Sequence, residues 1–471
     1  MRAVRVIASV CGLLLAAGLA YSAAASRQDR VQRDIVELCG SRVRIVWCQE
    51  AGGDGRDVGA EGDRLLLMGL DTADRLGVHP LLPRSGNYHK PLLTPAGDRV
   101  VFTDYPRAKI CVVNWNGTSL RELSDGFALD VWLDPATRRE WVYAVDSRTL
   151  NDGGGQPVIR FPLDNPFKRE PVWKATPVTL DSFQVSADGT KAGALFPWPH
   201  AGVADLPAGA WVERGVGCWP DLSPDNRGLL WVFDGAHRNL VFHPADGRER
   251  WKVRINGAPG VDGYEVYHPR WSNQIRFMAM TGPYRSGEGD NRIRAGGRGV
   301  EIYLGRFSPD LRSVEAWVAV THNECGDFYP DAWIEPAAGR EASRSVTLGP
   351  APTGAVSGAM TSNAAERVVV RARLTGISAT PTLDAIAPYR HALVVYAYAV
   401  EQVLTGAYPH VELRVAHWGL IDGKAQSVPR RKGRTYELTV EPLDAHRELE
   451  GVRVMMDMTG DDLPLYYEAG R

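Results

Sequence analysis

Apolar and polar residues alternate along this chain in short runs. The runs come in pairs joined by tight turns, and stretches of helical period are nearly absent. One unit recurs: a short strand, a turn with Pro or Ala beside Asp, Gly or Asn, then a more apolar strand. Its clearest copies turn at Thr94-Pro95-Ala96-Gly97, Ser186-Ala187-Asp188-Gly189 and Ser223-Pro224-Asp225-Asn226. In such turns Pro fixes φ and Gly or Asn accepts a positive φ, so the chain reverses within a few residues. A variant runs through Asp130-Val131-Trp132-Leu133-Asp134-Pro135, a degenerate copy through His268-Pro269-Arg270-Trp271-Ser272-Asn273, and a sixth opening strand begins near Phe328. A second strand pair follows each copy; one of them, 110–123, turns at Asn116-Gly117, a strong hairpin signal.

Four strands per unit, repeating every roughly 40 to 60 residues, match a β-propeller blade. The last copy has an opening strand and no partners, while the strands at 42–47 and 64–68 lack an opener. Joining the two completes one blade and closes the ring. The expectation is therefore an all-β chain with a six-bladed propeller over 40–336, or seven blades if the long third unit, 127–178, hides an extra hairpin. Residues 337–366, rich in Ala, Gly, Ser and Thr, read as a flexible linker. Alternating strands at 368–374, 392–400, 410–418 and 436–442 then predict a small OB-like barrel or sandwich over 367–471.

The three turns quoted above resemble those of the TolB-like, WD40-like propellers of exported bacterial proteins. The resemblance covers roughly residues 40 to 336 and implies the fold; this architecture hosts binding proteins, peptidases and lyases alike.

Composition adds a compartment. Arg2 and Arg5, an apolar run over 6–21 and the small residues at 22–26 have the order of a cleaved signal peptide, so 1–26 reads as an address and the protein as periplasmic or secreted. No later segment is apolar enough to cross a membrane as a helix, and a net charge of −2 with interspersed signs speaks against nucleic acid. Cys39, Cys48, Cys111, Cys218 and Cys325 follow no zinc spacing and read as structural; Cys39 and Cys48 are the nearest pair for a bridge.

In a propeller the first strand of each blade lines the central channel, so ligand sites draw on several blade openers. Here the openers and their neighbours carry His89, Lys90, Asp130, Gln184, Asp221, His237, Arg238, His268, Arg270, Asn323, Asp327 and Asp331. Trp219, Trp271 and Trp333 recur at similar places, and aromatic faces beside Asp, Asn and Arg suit carbohydrate. The function expected is binding of carbohydrate or an envelope protein at one channel mouth, without a cofactor. Ligand contacts are expected at His89, Asp221, His237, Arg238, His268, Arg270, Trp271, Asn323, Asp327 and Asp331. The alternative is a metal-assisted polysaccharide lyase in which His237, His268 and His322 converge on a divalent cation; the propeller-type lyases that share this fold use histidine-rich metal sites. A structural reading stands beside both, in which opener side chains bond the backbone of the next blade and tryptophans wedge between blades. No Gly-x-Ser-x-Gly elbow and no phosphate-binding loop occurs.

Overall fold

A computed structural model describes residues 27–50, 64–146, 157–207, 209–284, 298–336, 367–458 and 463–468. The expected signal segment, the expected linker and the tip of the Gly153-Gly154-Gly155 insert lie outside the described residues. Six four-stranded antiparallel sheets form the ring. Blade 1 joins Asp327–Ile334 to Val43–Glu50, Leu65–Asp71 and His79–Pro80, as the incomplete first and last copies predict. Blades 2 to 6 open with Tyr88–Leu93, Phe127–Leu133, Gln184–Val185, Cys218–Leu222 and Glu265–Trp271, and each adds three further strands in sequence order. The third unit forms one four-stranded sheet, so the ring has six blades. The opening strands of successive blades touch in a closed circuit around the axis.

The turns lock onto neighbouring blades. Gly97 has φ +71°, and a Cβ there would stand 2.5 Å from the Trp333 ring, so this turn needs glycine for its conformation and for the close approach. Trp333 in turn donates its indole N–H to the Pro95 carbonyl at 3.0 Å. Trp271 stacks on Trp231 with ring centroids 3.8 Å apart and is buried between blades 5 and 6.

One element was not legible in the sequence. A helix over 27–39 buries Val31, Ile35 and Leu38, spaced along one face, against Val43, Ile45, Phe277, Ile302 and Ile334. The Gln32 amide donates to the carbonyls of Asp71 and Asp74. This helix therefore braces the seam where blade 1 is built from both ends of the ring.

The seam also contains a buried carboxyl group. Asp327 accepts from the Trp47 indole and the Gln49 amide, both at 2.8 Å, and from Asn323 at 2.8 Å. Glu301 of blade 6 bonds the Asn323 N–H and lies against the Asp327 carboxyl. Burial, with their mutual repulsion, pushes Glu301 up to about 7, and burial pushes Asp327 up to about 6.

Beyond the ring, Val368–Ile377, Ala392–Thr405, Thr435–Pro442, Leu465–Glu468 and Glu412–Ile421 close into a five-stranded barrel. Its last strand is pinned from inside: Glu468 accepts from Arg430 at 2.5 Å and meets His417 at 3.3 Å. The barrel docks on blades 5 and 6 through a desolvated polar core. Arg453 pairs with Glu265 at 2.5 Å, both nearly fully buried, and donates to the Gly235 carbonyl at 2.8 Å, which also accepts the Val454 N–H at 2.8 Å. Tyr389 donates to the Cys218 sulfur at 3.1 Å and lies 3.3 Å from His237 Nε2. Apolar contacts continue on both sides, from Ala236 to Leu393, Val395 and Val454.

Two outcomes are expected. A raised carboxyl pKa in the folded state contributes stability that is full below the unfolded value and lost as pH rises through the folded one. Thermal stability should therefore decline between about pH 4 and pH 7, and Glu301→Gln should flatten that decline; an unchanged pH profile would argue against the seam pair. At Gly235 a Cβ would run into the Val452 carbonyl. Gly235→Ala should cost about 1–3 kcal/mol by chemical denaturation and make the barrel more susceptible to limited proteolysis.

Candidate functional site at the channel mouth

The channel lining is set by the backbone. In four blades the opening strand bulges, and the residue at the bulge has a positive φ and precedes proline: Lys90 (+49°), Trp219 (+49°), His268 (+49°) and Tyr329 (+51°). A side chain disfavours this conformation, and a following proline restricts it further, at a cost on the order of 1–3 kcal/mol each. Proline at 91, 220, 269 and 330 cannot donate to the ladder, which is consistent with the bulge.

Beneath the bulges lies a charged layer. Asp331 accepts the Leu93 N–H at 2.6 Å, Asp130 the Val185 N–H at 2.8 Å and Asp221 the Trp271 N–H at 2.9 Å. Each aspartate thus bonds the backbone of the next blade. Arg270 pairs with Asp331 at 3.0 Å and reaches 3.8 Å from Asp130 on the opposite side of the ring. Lys90 donates to the carbonyls of Leu129 and Leu180, both at 3.1 Å. Burial pushes Asp221 up to about 7 against the pull of Arg270; burial together with Arg270 brings Lys90 down to about 8.

Above this layer, ring side chains from four blades meet. Tyr329 lies 4.2 Å from His268, 5.0 Å from His89 and 6.2 Å from Trp219 between centroids; Trp219 lies 5.0 Å from both His268 and Tyr267. Trp219, Tyr267 and Tyr329 are partly exposed, while His89 and His268 are buried. Burial holds His268 near 3, in its neutral form. Asp181 of blade 4 sits beside His89, at 3.8 Å from its Nε2.

The expected site residues therefore fall into three groups. His89, Asp221, His268, Arg270 and Asp331 do meet in the channel. Asn323 and Asp327 hold the seam, and Trp271 packs between blades, as does Trp333. His237 and Arg238 face the barrel: His237 contacts Cys218 and Tyr389, and Arg238 donates to the Gly263 carbonyl at 2.8 Å and approaches that of Met456. The reason is that the start of blade 5 and its second hairpin form the docking surface, which no local pattern marks. The expected convergence of His237, His268 and His322 does not form. His237 is at the domain contact, His322 is exposed, and among the described residues no three His, Cys, Asp or Glu side chains gather into a group that could hold a metal. Tyr267, Tyr329 and Asp181 were missed, although the bulge signature before Pro330 pointed to Tyr329.

Cys218, His237 and Glu265 have the order of a nucleophile, base and orienting acid, with Sγ to Nε2 at 3.5 Å and Nδ1 to Oε2 at 4.0 Å. Their environment opposes that chemistry. Burial pushes the thiol up to about 12 and His237 well down, so neither takes the charged form the role requires. All five described cysteines are free, including Cys39 and Cys48.

No protein-family model matches the chain, and no curated protein matches it. Among solved structures it is similar to TolB from Acinetobacter baumannii, at 14% identity and a TM-score of 0.41 over 63% of this chain and 67% of that one. It is also similar to a putative TolB from Agrobacterium tumefaciens, at 13% identity and a TM-score of 0.37 over 60% and 91% of the two chains. A gluconolactonase from Xanthomonas campestris aligns at 15% identity and a TM-score of 0.34 over 50% and 84%. These likenesses concern the propeller fold.

Removing Arg270 should leave the buried Asp331 and the largely buried Asp130 without their cation. Arg270→Leu is expected to cost about 3 kcal/mol or more at pH 7 by chemical denaturation, and less at pH 5, because burial already raises Asp130 and losing the cation favours its protonated form further. Equal losses at both values would show that the charge pairing is not the source.

Proposed function

We propose that this is an exported binding protein whose propeller takes a segment of an envelope protein partner at the aromatic mouth of its channel. The observation that carries the reading is the set of bulged pre-proline residues, which turn Trp219, His268 and Tyr329 inward into one group. Backbone strain repeated in four blades is a cost that packing alone does not require, and strained positions concentrate at ligand sites. Partly exposed Trp and Tyr over a buried charged layer supply what protein recognition draws on most, large rigid apolar faces with polar groups nearby. Export rests on the pattern of residues 1–26. The carbohydrate reading is less well supported, because Trp271 and Trp333 are spent on packing between blades.

The test is affinity isolation from envelope extracts, followed by titration of the recovered partner. Trp219→Ala and Tyr329→Ala should each weaken binding at least tenfold with unchanged circular dichroism, about 1.4 kcal/mol or more. Wild-type affinity in both variants would exclude the channel mouth.

A further inference from the structure

A cavity of about 710 Å³ opens in the barrel, and all of its lining residues belong to that domain. It is a consequence of register. Gly376, Ala397 and Arg414 stand side by side on the neighbouring strands Val368–Ile377, Ala392–Thr405 and Glu412–Ile421. Leu413 and Val415 pack into the barrel core, so Arg414 between them points outward. Two small residues beside the arginine leave a trough: a Cβ at Gly376 would stand 3.3 Å from both Ala397 Cβ and Met458 Sδ. The Arg414 side chain is only 4% exposed, yet its donors are underused. Nε donates to Glu412 at 3.1 Å, and Nη1 meets only the Met456 sulfur at 3.8 Å. Nη2 has no hydrogen bond among the described residues and is not shielded from solvent. A guanidinium so placed is costly unless its N–H groups are met. Charge points to the group that would meet them. Glu412 alone is acidic among the described lining residues, and its side chain is 42% exposed. Water screens that carboxylate far more than it screens the buried arginine, so the arginine dominates inside the cavity. Ala397, Val411 and Met458 add apolar surface, and Val411 is exposed there.

We infer that this cavity binds a carboxylate carrying an apolar chain. The carboxylate oxygens accept from Nη1 and Nη2 of Arg414, the edge of the guanidinium that Glu412 leaves open, and the chain lies along Ala397, Val411 and Met458. A guanidinium fork matches a carboxylate in this way, and the pairing is charge-assisted in a place where water is scarce. A neutral head group forgoes the charge, and a cationic one is repelled by Arg414. The volume is that of a small-molecule site, on the order of 300–1,000 Å³. A fatty acid and the C-terminal residue of a peptide present the same chemistry, an acid beside apolar carbon. The site is separate from the channel mouth and does not depend on what the mouth binds.

The probes are two matched pairs, octanoate against octanamide and N-acetylleucine against N-acetylleucinamide, titrated by calorimetry into the full chain at pH 7. At least one acid should bind about tenfold or more tightly than its amide. A preference shown only with octanoate assigns the site to fatty acids, and one shown only with N-acetylleucine assigns it to peptide C-termini. Arg414→Lys keeps the positive charge and loses the fork, so it should remove most of the preference. Ala397→Leu fills the trough and should abolish binding of the favoured acid with Arg414 still in place. Thermal unfolding of each variant checks that the barrel is intact, and the comparison of acid with amide on the unaltered chain stands without them. Equal binding within both pairs, no binding of any probe, or a preference that survives both substitutions would overturn the inference.

Discussion

Three aspartate bridges to backbone amides hold the ring from the inside. Asp331 reaches from blade 1 to blade 2, Asp130 from blade 3 to blade 4, and Asp221 from blade 5 to blade 6. The intervening junctions use different means. Lys90 bonds the Leu129 carbonyl between blades 2 and 3, and Asn273 exchanges two hydrogen bonds with the Ile334 backbone between blades 6 and 1. Carboxylates so placed are costly unless neutralised, which makes Arg270 the common counter-charge and explains why it spans the axis toward Asp130. The aromatic group above exists because the strands below it are fixed in this register.

The barrel packs against the propeller through a buried polar and apolar interface. Glu265 lies in the opening strand of blade 6 and pairs with Arg453 of the barrel in near-complete burial. Breaking such a pair is expensive, so the two bodies share stability. The docking surface also illustrates how environment decides chemistry. Cys218, His237 and Glu265 have a familiar order, yet desolvation keeps the thiol protonated and the imidazole neutral. The same groups at an open mouth would behave differently.

Much of the fold was legible because turn chemistry is local. Thr94-Pro95-Ala96-Gly97 and its relatives announce each hairpin, and the unpaired strands at either end announce the closure of the ring. The opener residues were legible as a set, and the structural alternative proved right for Asp130, Asp221 and Asp331 as bridges and for Trp271 and Trp333 as wedges. What sequence could not separate was direction. His237 and His268 are both polar residues near the start of a strand, but one faces the barrel and the other the channel. That distinction depends on where residues 389 and 453 arrive, more than a hundred positions later. The helix over 27–39 escaped notice because three buried residues make a short periodic signal, and the surface that gives them meaning is assembled from distant strands.

Blade 1 joins Val43–Glu50 to Asp327–Ile334, so its hydrogen bonds span nearly the whole ring in sequence. Until the ribosome has made the final strand, Asp331 cannot reach Leu93, Arg270 lacks its nearest counter-ion and the seam helix has half a surface to cover. At about 5–20 residues per second of synthesis, closure must wait on the order of tens of seconds after the first strand appears. Contacts of such sequence separation also make folding slow. A chain that cannot complete its interior until late leaves strand edges unpaired for that interval, and unpaired edges invite edge-to-edge association.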